Sequence, residues 1–130
     1  MVALSEKERA HASTHQEFER IQKLVQAHKA AASAEEEQVA LAAIVSETPP
    51  IAVRSNWHRP GEPEQPSEYR ILLSAGAPTV QIIGDLDTTG NPYTARLGYQ
   101  DWFTRWDECE LTEEEEVDLL AYACCFSYQN

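Results

Sequence analysis

Four groups of residues have types and spacings that could do chemistry. His11 and His15 stand four apart, so a helix would set both imidazoles on one side, where they could hold a transition metal. Asp85-Leu86-Asp87-Thr88-Thr89-Gly90 places carboxylates first and third and a glycine sixth, like the opening of a calcium loop. Cys109 and His58 are the material for a thiolate–imidazole pair. Residues 101–120, DWFTRWDECELTEEEEVDLL, hold nine Asp or Glu and one Arg, with Trp102, Phe103 and Trp106 at the front. Such a stretch could bind a metal, begin a helix, or face something basic.

The first three groups each lack a necessary part. No Glu follows His11 as in H-E-x-x-H, and no third ligand is evident, so the histidines read as an exposed pair. A calcium loop needs a bidentate Glu at its twelfth position, and that position is Arg96. Asp87 to Pro92 reads instead as a turn between strands. Nothing in the sequence supports the pairing of Cys109 with His58. Ser74 has no G-x-S-x-G around it, and five glycines in all leave no phosphate-cradling loop. The three cysteines, Cys109, Cys124 and Cys125, form no C-x-x-C and are odd in number. They are expected to be reduced thiols packed as small apolar groups. The expectation is therefore a non-enzymatic protein with no catalytic residue, no metal ligand and no cofactor.

The acidic run has a partial local explanation. Thr112-Glu113-Glu114-Glu115 matches a capping box, and negative charge in a first helical turn complements the helix dipole. That does not account for Asp101, Asp107, Glu108 and Glu110. At strand spacing Asp107 and Glu108 point to opposite faces. Trp102 and Trp106 fall on one face and Phe103 on the other, so at least one ring is expected near the surface. Asp101, Trp102, Trp106, Asp107, Glu108, Glu110, Glu113 and Glu114 are the expected partner-binding residues, with the tryptophans as anchors.

The charge is uneven along the chain. The formal net charge is −12, from 22 acidic and 10 basic residues. Residues 1–60 hold seven Lys/Arg and eight Asp/Glu, whereas residues 61–130 hold three and fourteen. This balance opposes direct binding to nucleic acid or to anionic membrane, and favours a basic partner. No apolar run approaches membrane-spanning length, and nothing resembles a signal peptide.

The elements that must position these residues follow from pattern. Residues 5–47 lack Gly and Pro and are rich in Ala, Glu, Gln and Lys. Phe18, Ile21, Val25 and His28, with Leu24 beside them, make an apolar stripe. Ser33-Ala34-Glu35-Glu36 can cap a second helix carrying Val39, Leu41, Ala42, Ile44 and Val45, which must stop before Pro49. The result is a helical hairpin or one long bent helix over residues 1–48. Residues 49–67 hold five of the seven prolines and read as a linker, with Ile51–Val53 a short edge strand and Trp57 folded back over the core. Residues 68–130 then read as three or four antiparallel strands and a closing helix, with Val117, Leu120, Ala121 and Cys124 facing inward and Tyr128 continuing the row. The fold class is α+β, with helices on one side of a small antiparallel sheet.

The segments EYRILLSAGAPTVQIIGDLD, ARLGYQDWFTRW and LLAYACCFSY resemble a family of small proteins encoded in phages and prophages. The likeness spans residues 68–128 and is most specific in Gln100-Asp101-Trp102-Phe103-Thr104 and Trp106. Ala77 and Arg105 depart from the family pattern, which has Gly and Pro there. The resemblance implies a mobile-element origin and a bacterial cytoplasm; it brings no activity and no functional residues. Together with the acidic second half it leads to one expectation: a nucleic-acid mimic that binds and inhibits a basic host protein or nucleoprotein complex, a CRISPR effector being the concrete case. A phage assembly factor that forms homo-oligomers through residues 5–47 is the alternative, and a small enzyme the third.

Overall fold

A computed structural model describes residues 6–47, 49–75, 79–100 and 106–128, with side chains from residue 8 onward. Helix α1, Glu6–Lys29, buries Ala10, Thr14, Phe18, Ile21 and Val25, at helical steps of three and four. Thr14 can sit in this stripe because its hydroxyl donates to the Ala10 carbonyl at 2.7 Å. A short turn leads to Ser33, whose Oγ accepts from the Glu36 amide and caps α2, Ala34–Val45. Glu36 reaches back to the Ala32 amide at 2.8 Å, one residue beyond a full capping box. The two helices form a hairpin. Arg20, midway along α1, ion-pairs with Glu17 and also with Glu47 just past α2.

The sheet is an antiparallel meander in chain order: β1 Ile51–Ser55, β2 Pro66–Ser74, β3 Thr79–Asp85, β4 Arg96–Gln100 and β5 Asp107–Cys109. Residues 68–130 supply four of its five strands, as expected, with Asp107–Cys109 paired to Leu97–Tyr99 as a strand of its own, and the fifth is the edge strand expected at Ile51–Val53. Register places Ile51, Ile71, Ile82, Leu97 and Cys109 in one row across the sheet. Tyr69, Val80 and Tyr99 share that face, and α1 lies over β3 and β4. Helix α3, Glu113–Ala123, packs along α1. One buried cluster joins α1, Ile44 of α2, the sheet and α3.

Two sequence expectations are corrected, for α3 and for Trp57. Helix α3 is turned from the expected side: Asp118, Leu119, Tyr122 and Ala123 are buried, Leu120 and Ala121 pack partly buried against the core, and Val117 (56% exposed) and Cys124 are exposed. Both sides of this helix are apolar, and Tyr122 is the larger group to bury. Its hydroxyl donates to Glu47 at 2.9 Å, which ties α3 to the end of α2. Asp118 then lies inward and is met by Lys29, whose Nζ donates at 2.6 Å. Of the apolar residues of α2 only Ile44 reaches the core; Val39, Leu41 and Val45 are exposed. Trp57 does not fold back. It stands fully exposed in the β1–β2 loop, since the core closes without it.

Gly84 on β3 marks the tightest approach in the sheet. A Cβ there would lie 2.1 Å from the Thr94 carbonyl oxygen and 2.7 Å from the Tyr69 ring. Its hydrogen in place of a methyl lets Tyr69 cross the strand and donate to that carbonyl at 2.6 Å.

Candidate interaction surfaces

The expected partner-binding residues are only partly brought together. Asp101 and Trp102 lie outside the described residues. Trp106 is 44% exposed and lies over Gly98 on the sheet face away from the helices. Asp107 and Glu108 take opposite faces, as strand alternation requires. Asp107 turns toward the helix side, opposite Tyr99, and is half-buried. Burial, then the charges of Asp107 and Cys109, push the Tyr99 hydroxyl pKa up. Glu108 is exposed opposite Gly98, and it shares a concavity with Glu110, Glu116, Arg96 and Leu111. Glu113 and Glu114 are exposed in the first turn of α3, as expected of charges that complement a helix N-terminus. Thr112 and Glu115 complete the capping box in both directions, at 3.2 and 3.0 Å. Among the described residues, none of Glu108, Glu110, Glu113 and Glu114 enters an ion pair.

The groups that could have carried catalysis are dispersed. His58 lies in the loop after β1 and Cys109 on β5, at opposite edges of the sheet. Burial, then the charges of Glu115 and Glu110, push the Cys109 thiol pKa up, which lowers its thiolate fraction at neutral pH. Cys124 and Cys125 are shifted the same way by burial; Cys124 is nonetheless exposed, against the expectation of three packed thiols. His11 packs edge-on against Tyr99 and His15 pairs with Glu19. Asp87 builds the turn it was expected to build. Its Oδ1 accepts from the Thr89 hydroxyl and from the Thr89 and Asn91 amides, while Gly90 takes a φ of +86°. Among the described residues, no group of three or more His, Cys, Asp or Glu is placed to hold a metal, and no helix is long and apolar enough to cross a membrane.

A second surface was not foreseen. The sheet face away from the helices carries Arg70, Ile83 and Arg96 in one register row, with Arg54 and Glu68 paired beside it. Arg70 and Arg96 are both exposed, and neither side chain makes an ion pair or hydrogen bond among the described residues. They are two of the three cations after residue 60. A concavity of about 400 Å³ runs over this row, and a second of about 310 Å³ continues to Trp106; Gln81, Ile83 and Arg96 line both. The signal was present in the sequence. Alternation from Ile71 and from Ile82 puts Arg70 and Ile83 on the side opposite those core residues.

Comparison with protein-family models, with curated proteins and with solved structures yields no match.

Proposed function

We propose that this chain is a non-enzymatic, mobile-element-encoded protein of the bacterial cytoplasm that binds and blocks a basic, nucleic-acid-handling host defence protein, such as a CRISPR effector. The single observation that carries the reading is the β5–α3 rim: Glu108, Glu110, Glu113 and Glu114 are exposed and without ion pairs among the described residues, and Trp106 is exposed beside them. Carboxylates held on a strand and a helix start present fixed negative charge to a groove that otherwise takes phosphates. Electrostatic steering would speed capture, and Trp106 would anchor the complex. The resemblance to phage-encoded proteins supports the same reading.

The test is affinity capture from bacterial lysate at low and high salt, comparing the native chain with Glu108→Lys, Glu110→Lys and Glu114→Lys combined. A basic nucleic-acid-handling protein retained at low salt, released at high salt and lost with the triple variant is the expected result. Capture indifferent to both salt and charge reversal overturns the proposal.

A second reading rests on α2. Its exposed Val39, Leu41 and Val45 favour self-association through the helical hairpin, as an assembly factor would need. Sedimentation of the native chain and of Leu41→Glu/Val45→Glu decides it: a multimer dissociated by the variant supports assembly, and a monomer rejects it.

A further inference from the structure

We infer that the helix-free face of the sheet is a docking site for an extended protein segment presenting one Asp or Glu beside an apolar side chain. The inference goes beyond the acidic rim and does not depend on it. Two independent observations carry it.

The first is charge. Arg70 and Arg96 flank Ile83 from β2 and β4, in register, with roughly 10 Å between their backbones. Both guanidinium groups are exposed and lack partners among the described residues, in a protein with a net charge of −12. Guanidinium groups so spaced can converge on one carboxylate above the Ile83 side chain, each as a two-point donor.

The second is Gln81. It is 6% exposed and lines both concavities, yet its side-chain amide makes no hydrogen bond among the described residues. Among the described residues no side-chain N or O is both buried and unpartnered, so this amide reaches solvent at the floor of the groove and has both a donor and an acceptor to offer. The N–H and C=O of a passing peptide satisfy both at once. Next to it, Trp106 lies over the buried Gly98 and forms a wall for an apolar side chain.

The surrounding charges decide between a peptide and a nucleic acid strand. Along the strands the arginine pair is bounded by Asp85 and by Glu68, itself paired with Arg54, at one end and by Glu108 at the other. A phosphate backbone running along the strands would meet a carboxylate beyond the arginines at either end, whereas one acidic side chain meets only the arginines. The partner is therefore a protein segment with a single acidic anchor.

The test uses the full ¹⁵N-labelled chain with three probes: acetyl-Leu-Glu-Leu-amide, acetyl-Leu-Gln-Leu-amide and a thymidine hexanucleotide. The Glu peptide is expected to shift the Ile83 and Gly98 amides, the Gln81 side-chain amide and the Trp106 indole signal. It should bind about tenfold more tightly than the Gln peptide, the difference expected for loss of a charge-assisted contact. Arg70→Gln/Arg96→Gln should erase that preference while leaving the remaining spectrum folded. Gln81→Leu should weaken both peptides alike. Equal binding of the two peptides, shifts confined to other surfaces, no shift at all, or tighter binding of the hexanucleotide would each overturn the inference. The rim carboxylates take no part in these readouts, so failure here leaves the proposed function standing, and the converse holds.

Discussion

The two faces of the sheet are built from alternate residues of the same five strands, yet they are held to different standards. The covered face is filled: Ile71, Val80, Ile82 and Leu97 are wholly buried in one cluster with α1 and α3, and the Tyr69, Tyr122 and Tyr128 hydroxyls have partners. The bare face is a thin apolar floor with arginines and carboxylates standing on it, and some of its polar groups have none. One face supplies stability and tolerates little change; the other contributes little to stability and is therefore available for recognition. Substitutions on the two faces should separate cleanly, in stability on one side and in binding on the other.

The largest effect should come from Phe18→Ala, which empties the centre of the covered face. A loss of about 3–5 kcal/mol in urea unfolding is expected, and a loss below about 1 kcal/mol would mean that α1 does not close this face. Lys29→Met should cost about 1–3 kcal/mol by leaving the Asp118 carboxylate nearly buried without its cation. Pairing it with Asp118→Leu should recover most of that loss, and a cycle showing no coupling would contradict the contact. Gly84→Ala should cost a similar ~1–3 kcal/mol, since the methyl meets backbone at Thr94 rather than a movable side chain. On the bare face, Arg70→Gln/Arg96→Gln should change stability by no more than about 0.5 kcal/mol, the norm for surface positions. A larger loss would blur the distinction between the faces.

The smallest effect is a pH dependence seated mainly on the covered face. Burial raises the Tyr69, Tyr122 and Tyr128 hydroxyl pKa values above the ordinary 10.0. A raised folded-state value gives stability that is complete below pH 10.0 and is lost as pH rises through the folded values. Burial likewise raises the Cys109, Cys124 and Cys125 thiols above the ordinary 9.0, so melting temperature should begin to fall above about pH 9 and fall further above about pH 10, where tyrosinate absorbance rises. Asp87 works in the opposite sense and at the edge of the fold. Its hydrogen bonds, chiefly from the Thr89 hydroxyl, hold its pKa below the ordinary 3.8, so its turn should loosen only as the solution becomes more acidic than that.

Element types were legible in the sequence, and the choice between sides of an element was legible only where one side was polar. In α1, Phe18, Ile21 and Val25 are interleaved with charged residues, so a single stripe could face the core. In α3, LLAYACCF is apolar all round, and period alone cannot choose between Leu119–Tyr122–Ala123 and Val117–Leu120–Ala121–Cys124. The choice is made by partners distant in sequence, Glu47 for the Tyr122 hydroxyl and Lys29 for Asp118, which no local pattern reveals. The exposure of Glu108, Glu110, Glu113 and Glu114 was readable from residue type, whereas Asp118 of the same run is buried because Lys29 meets it. The arginine face was missed because two isolated cations in an acidic half look incidental until register sets them on either side of Ile83. Trp57 shows the limit of inferring burial from size, because a core already closed by Phe18, Ile44 and Tyr122 leaves it no cavity to enter.

The contact between Lys29 and Asp118 joins residues 89 positions apart. Hairpins of a meander can zip up as they emerge from the ribosome, each beside the one before it. The first helix does not close that way: its apolar side is covered by Ile44 of α2, by β3 and β4, and by α3, each more distant in sequence than the one before. Until those elements meet, Phe18, Ile21 and Val25 are open to any chaperone nearby, so α1 is the element whose shelter depends most on distant segments.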